Sequence, residues 1–319
     1  MNEVIQDIVS VIRANSSFLI TSHEGPDGDA VGSSLALASF LRKIGKDVCV
    51  HLCDQVPELY VFLPGADSVV SHIPDRDFGA AFVLDIGEFS RAGEEFCTFG
   101  HIGTLVNLDH HLGCDHFGRH NLIDSQAAAT GVLVYRIISA FGYPLDRDTA
   151  LCLYVSIITD TGSFRYSNAN PEAFAIAGEM VGYGINAWDV AEQLYENQPR
   201  KRLELLAKCL PTLEVLNNGL AASVTVTLDM YAVTAEDSEL TDGFVNYPRS
   251  IRGVEVAIFF RQLAEKRYKV GFRSKGKVNV AAFAAQMGGG GHHNAAGCSV
   301  DGTLDEVKAK VYGIVESAL

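Results

Sequence analysis

Three short apolar runs near the start of the chain each lead to a histidine or a carboxylate, and this repeated punctuation constrains the fold more than any other feature. Phe18-Leu19-Ile20 runs through Thr21 and Ser22 to His23, Ala80 to Leu84 ends at Asp85, and Thr104 to Leu108 ends at Asp109. Runs that are apolar throughout, rather than alternating, suit strands buried on both faces of a parallel sheet. Between and after them, 2–14, 29–44, 127–141, 147–159 and 171–183 read as helices, with Gly45 closing the second and Pro171 opening the last. Residues 47–52 read as a further strand and 57–62 as a short helix. The alternation predicts an α/β unit with a doubly wound, mostly parallel sheet, in which ligands bind at the carboxyl ends of the strands.

The texture changes at Trp188, where an amphipathic, more charged stretch reads as a connector over 188–212. From Leu213 the pattern alternates. One predicted hairpin turns at Asn217-Asn218-Gly219, and a second pairs 254–262 with 267–274, with helices over 237–249, 279–287 and 303–319. The expected organisation is therefore a first domain over 1–187, the connector, and a smaller α+β domain over 213–319 built on a mixed or antiparallel sheet. A chain of 319 residues is long enough for two such cores.

The segment Thr21 to Ala30, TSHEGPDGDA, places His23, Asp27 and Asp29 in a Gly/Pro turn after a strand. Imidazole and carboxylate are the ligands that borderline and hard divalent cations take, although a polar Asp/Gly loop also reads as a solvated turn. Downstream, Asp85, Asp109, His110, His111 and Asp160 also sit at element ends. Together these are too many donors for one ion and suit a pair about 3.5–4 Å apart with a bridging carboxylate. Taken alone, His110-His111 would be a surface turn or a satisfied buried pair.

The formal net charge of −14 argues against wrapping long nucleic acid, while leaving room for a short anionic ligand at a cation-lined site. The seven cysteines form no CxxC pair, so neither a thiolate zinc site nor a disulfide framework is indicated. The N-terminus is acidic and amphipathic, unlike a signal peptide, and no apolar run reaches the roughly 20 residues that span a bilayer. A cytoplasmic protein without membrane contact is expected.

His23-x3-Asp27-x-Asp29, the aspartate closing the strand at 85, the triplet Asp109-His110-His111, and Asp160 in IITDTGSF together resemble the four motifs of the DHH phosphoesterase superfamily, in that family's order. The stretch Gly288 to Gly297, GGGGHHNAAG, is similar to the glycine-rich signature of the associated DHHA1 domain. Length and domain pairing look most like the NrnA-type nanoRNases, which also dephosphorylate 3′-phosphoadenosine 5′-phosphate (pAp). The resemblance implies two divalent ions, Mn2+ before Mg2+ or Co2+, the first held by His23, Asp27 and Asp85 and the second by Asp29, Asp85, His110 and Asp160. Asp85 would bridge them. His111 would act as an acid-base group near the leaving oxygen, with Asp109 orienting the histidines. Asp160 is placed by the resemblance and not by the strand-end pattern.

For the second domain, backbone N–H groups of Gly290 and Gly291 with His292 and His293 are the expected phosphate-binding groups, although a bare glycine run also reads as a linker. Arg273, Ser274 and Arg261 are read as ending strands near that loop, at a sheet edge. Expected substrates are RNA of two to five nucleotides, pAp and linear dinucleotides, and a homodimer stays open. Alternatives are a cyclic dinucleotide phosphodiesterase, a manganese-dependent inorganic pyrophosphatase, which would carry an Arg-Lys-Lys cluster where this chain has Arg273-Ser274-Lys275, and a non-catalytic nucleotide-binding sensor.

Overall fold

The computed structural model describes residues 1–216, 219–231 and 238–319. The chain divides into two units, Met1–Asn197 and Gln198–Leu319, a division that falls inside the stretch read as a connector. Each unit is built on its own sheet.

In the first unit the strands are β1 (Ser17–Thr21), β2 (Asp47–His51), β3 (Val69–Val70), β4 (Phe78–Leu84), β5 (Ile102–Asp109) and β6 (His120–Ile123). They are ordered β3-β2-β1-β4-β5-β6, and every neighbouring pair is parallel. Chain order reverses between β1 and β4, which is where a doubly wound sheet opens a crevice. The helices are α1 (Asn2–Ala14), α2 (Gly28–Lys43), α3 (Glu94–Thr98), α4 (Thr130–Phe141), α5 (Arg147–Asp160), α6 (Pro171–Gly182) and α7 (Ala187–Ala191). Phe18, Ile20, Phe82, Leu84, Val106 and Leu108 share one apolar core with residues of α1, α2, α4 and α5. Leu19, Phe78, Ala81 and Val83 join Phe96 and Ala92 in another core. Apart from Phe78 at the start of β4, odd and even positions of the same strands thus enter different cores, which is why the runs are apolar throughout.

Helices α2 and α5 meet through glycine. A Cβ on Gly32 would lie 2.7 Å from the Cys152 carbonyl oxygen and 2.9 Å from the Ser156 nitrogen, so only a residue without a side chain allows this approach. Gly28, one turn earlier, packs against the side chain of Thr159.

Some expected elements are changed. Residues 57–62 hold only a 3-10 turn at Glu58–Tyr60, because Pro57 precedes it and the chain turns again at Gly65. Strand β3 is too short, and β6 (His-Asn-Leu-Ile) too polar, to register as an apolar run. Helix α4 begins at Thr130, not 127, with Ala129 extended at its N-cap.

The second unit contains α8 (Arg200–Cys209), β7 (Glu214–Leu216), β8 (Ala221–Val226), α9 (Asn246–Ser250), β9 (Val256–Ala264), β10 (Arg267–Ser274), α10 (Ala281–Ala285), β11 (Gly290–His292), β12 (Ala295–Asp301) and α11 (Leu304–Glu316). Among the described residues the sheet order is β11-β12-β10-β9-β8-β7, antiparallel except for the parallel pair β8–β9, so the sheet is mixed. A capping box between Thr303 and Glu306 starts α11, whose Val307, Val311 and Val315 join Phe260, Val270 and Phe272 in one core. Residues 217 and 218 of the first predicted turn, and 237 of the predicted 237–249 helix, lie outside the described residues. The rest of that helix is broken into a 3-10 turn at Ser238–Thr241 and the short α9, with Gly243 at φ +73° between them. All seven cysteines are free thiols, and no helix among the described residues is long and apolar enough to cross a membrane.

Candidate metal centre

Strands β1, β4 and β5 are neighbours, so their carboxyl ends stand side by side. His23 follows β1, Asp85 follows β4, and Asp109 ends β5 with His110 and His111 next in sequence. The Ser22 hydroxyl donates to the Leu84 carbonyl at 2.7 Å and ties two of these ends together. Asp27 caps α2, its Oδ1 accepting from the backbone N–H groups of Asp29 and Ala30 at 3.0 and 3.1 Å. Asp29 lies in the first turn of α2, and Asp160 is the last residue of α5.

These side chains converge. Asp85 Oδ2 is 3.6 Å from His23 Nε2, and its Oδ1 is 3.5 Å from His110 Nε2. His110 Nε2 also lies 3.6 Å from Asp29 Oδ2 and 3.7 Å from Asp160 Oδ2. Among the described residues, three groups bring donor atoms within 4.8 Å of one another: His23 with Asp27 and Asp85, Asp29 with His110 and Asp160, and Asp85 with His110 and His111. Such separations are long for a hydrogen bond and close to the roughly 3–3.5 Å between donors that share an ion at about 2.0–2.2 Å. His111 donates its backbone N–H to Asp109 Oδ1 at 3.1 Å, and its ring Nδ1 makes a short contact with the same oxygen.

The electrostatics are those of crowded, buried carboxylates. Asp29 is 1% and Asp85 3% exposed. Burial, then the negative charge of Asp85, hold the Asp29 carboxyl well above the usual range. Burial raises Asp160 to about 7, with Asp27 and Asp85 adding to it and His110 opposing. Burial would lift Asp85 too, but the imidazoles of His110, His23 and His111 around it hold it well below. Burial would lower His23, yet Asp85 and Asp27 carry it up to about 9. Asp85 also sits at φ +60°, a left-handed conformation that asparagine and aspartate tolerate better than most residues. Strain of this kind concentrates at functional positions.

The donor set fits divalent cations. It is oxygen and imidazole nitrogen with no thiolate, its central carboxylates Asp29 and Asp85 are buried, and its excess of carboxylates is what bound positive charge would relieve.

Sequence reasoning missed residues that hold these ligands, Ser156 and Asn168 among them. The Ser156 hydroxyl donates to Asp29 Oδ1, and the Asn168 amide donates to Asp160 Oδ2 at 3.0 Å. Neither residue type advertises such a role, and nothing in their local sequence could have revealed it.

In the second unit the glycine run is half of a hairpin and not a linker. Gly290 and Gly291 lie on β11 against Gly297 and Ala296 of β12, and a Cβ on Gly291 would meet the Ala295 carbonyl at 2.5 Å. His292 ends β11, and His293 Nε2 lies 3.0 Å from the Gly276 carbonyl. Ser274 is buried, its hydroxyl 2.9 Å from Asn294 Oδ1. The expected edge position of Arg261 is corrected: β9 continues to Ala264, and both β9 and β10 are interior strands. Arg261 pairs directly with Lys269, and Arg273 is two pairs further along the same face. Arg261, Lys269, Arg273 and Arg202 all act on Asp242, whose carboxyl is raised by burial and lowered by their charge. Lys269 and Arg202 are further members of this basic group that sequence reading missed.

A parallel sheet that gathers carboxylates and imidazoles at its switch point sets a candidate cation site where sheets of this kind bind their ligands. The sequence matches the DHH family, N-terminal domain, over residues 17–157 and the DHHA1 domain over 230–317. It is 32% identical to the bifunctional oligoribonuclease and PAP phosphatase NrnA of Thermus thermophilus, an alignment covering 99% of this chain and 95% of that one. It is 26% identical to the protein of the same description in Bacillus subtilis, over 92% of each. An exopolyphosphatase-related protein from Bacteroides fragilis superposes with a TM-score of 0.92 at 28% identity, covering 99% of this chain and 96% of the other. The chain belongs to the DHH/DHHA1 phosphoesterase superfamily, among its NrnA-like members, and is a hydrolase of phosphate esters.

Proposed function

We propose that this phosphoesterase is metal-dependent, cleaving RNA of two to five nucleotides to mononucleotides and removing the 3′-phosphate of pAp. The observation that carries the reading is the position of Asp85, with one carboxylate oxygen toward His23 and the other toward His110. Asp85 thereby belongs to a group on either side of it. His23, Asp27 and Asp85 would hold one cation, and Asp29, Asp85, His110 and Asp160 a second, with Mn2+ the first choice. The names of the NrnA relatives support the substrate class.

Bound cations would supply Lewis-acid polarisation of the phosphoryl group and acidify a water. The protein's own residues do the rest. Asp109 fixes His111 through Nδ1 and leaves Nε2 to handle a proton, which goes to the ester oxygen as its bond to phosphorus breaks and water oxygen takes its place. Asp29, Asp160 and His110 stay fixed because neighbouring groups hydrogen-bond them. In the second unit, the glycine hairpin at 288–297, His292, His293, Ser274 and the basic face of Arg261 and Arg273 are proposed to bind the anionic remainder of the substrate.

The test is a substrate panel with purified protein and Mn2+: two- to five-nucleotide RNA, a 24-mer, pAp, a cyclic dinucleotide and inorganic pyrophosphate. Rapid release of mononucleotides from the short RNA and of phosphate from pAp is expected. Equal rates on the 24-mer, or pyrophosphate as the best substrate, would overturn the assignment.

A further inference from the structure

The stretch Ala127 to Gly131, AAATG, carries no group that catalyses or binds metal by itself, yet it bonds three of the four proposed ligands of one cation directly and reaches the fourth, Asp160, through Asn168. The Ala127 carbonyl stands 3.2 Å from His110 Nδ1, which leaves Nε2 of that ring facing the carboxylates. The Ala128 carbonyl accepts from the Asn168 amide at 2.9 Å, and the same amide donates to Asp160. Thr130 donates its backbone N–H to Asp29 Oδ2 at 2.6 Å and its hydroxyl to Asp85 Oδ1 at 3.1 Å. Gly131 donates its backbone N–H to Asp29 Oδ1, also at 3.1 Å. A Cβ at Gly131 would collide with the Ser156 hydroxyl, which serves the same oxygen. Thr130 and Ala128 are fully buried.

We infer that Ala127–Gly131 is the positioning element of the second cation site, the one formed by Asp29, Asp85, His110 and Asp160, with Thr130 and Asn168 as its positioning side chains. This rests on the two-cation reading above. The chain halts before helix α4 here because its carbonyls and first N–H groups are committed to ligands. The first turn of α4 also turns toward Asp29 the N–H groups of Thr130 and Gly131, which have no partner within the helix. His23 and Asp27 receive no hydrogen bond from this segment. Thr130 reaches the shared Asp85 at Oδ1, the oxygen toward His110, and not at Oδ2, the one toward His23, so its loss acts mainly on one cation.

The experiment measures Mn2+ binding to metal-free protein by calorimetry and by the electron paramagnetic resonance signal of coupled ions, together with thermal melting of the metal-free form. Thr130→Val keeps the shape and removes the hydroxyl, and Thr130→Ser restores it. Asn168→Ala tests the segment from the Asp160 side. Thr130→Val and Asn168→Ala are each expected to weaken one Mn2+ about 10- to 100-fold, leaving the other within about threefold and the melting temperature near wild type. Thr130→Ser should recover most of the loss. Wild-type affinity for both ions in Thr130→Val and Asn168→Ala overturns the inference, as does equal weakening of both ions or a Thr130→Ser protein as defective as Thr130→Val. Wild-type protein that binds no pair of ions overturns the two-cation reading itself, which separates the two failures.

Discussion

Asp109 accepts from His111 twice, through the backbone N–H and through ring Nδ1, on one and the same carboxylate oxygen. Among the described residues its other oxygen is buried and has no hydrogen-bond partner. The pair has the form of an oriented base, with the imidazole tautomer set from behind. His111→Ala is expected to lower kcat on pAp by about 10²–10⁴ while the protein still binds two Mn2+. Asp109→Asn should cause a similar loss of kcat with little change in KM. Metal analysis of dialysed protein, run beside steady-state kinetics, checks both. Loss of a cation in His111→Ala would make this histidine a ligand instead.

Asp85 is the residue on which both proposed cations depend. Asp85→Ala is expected to abolish turnover and to leave at most one bound Mn2+ per chain. Two ions retained at wild-type affinity would remove the bridge from the mechanism.

The glycine contact between α2 and α5 predicts a structural mutant that never touches a ligand. A methyl at residue 32 presses on backbone atoms of Cys152 and Ser156, which cannot rotate away. Gly32→Ala is expected to destabilise the protein by about 1–3 kcal/mol in urea unfolding. Because α2 carries Asp29 and α5 carries Asp160, the same change should weaken Mn2+ binding. An unchanged unfolding midpoint would show that the helices can separate freely.

His51 gives a prediction in pH. It is fully buried on β2, with Nδ1 3.3 Å from the Thr21 hydroxyl, and burial holds its pKa below the ordinary 6.5 despite the charge of Glu95. The unfolded chain therefore binds a proton more readily than the native one. His51 contributes stability above about pH 6.5 that is lost as pH falls toward its lower native pKa. Buried Asp160 and Asp29 pull the other way in the metal-free protein, so the check is a difference: from pH 7.5 to 5 the wild-type urea midpoint should lose ground to that of His51→Gln. Parallel curves for the two proteins would contradict this.

The strand ends were legible because a buried parallel strand is apolar along its whole length, so His23, Asp85 and Asp109 stand out against Phe18–Ile20, Ala80–Leu84 and Thr104–Leu108. The α/β and mixed-sheet architectures followed from the same patterning. What was not legible acts through the backbone or through long-range contacts. Ala127 to Ala129 read as helix because alanine favours it, but their carbonyls serve His110 and Asn168. Ser156 looks like one polar residue inside an apolar helix, and only the fold sets it against Asp29, 127 residues away. Arg261 was read as a strand end because charge usually marks one. In the structure it stands mid-strand with Lys269 directly opposite.

The backbone contact between α2 and α5 has one more consequence. Two proposed ligands of a single ion ride on helices that touch without intervening side chains, so their separation is set before any ion arrives. In zinc-finger-like domains the ion must organise the chain, and affinity and folding are one quantity. Here the chain assembles its charges first and bears their repulsion, which makes the metal-free protein a folded receptor that cations fill, not a disordered precursor that they shape.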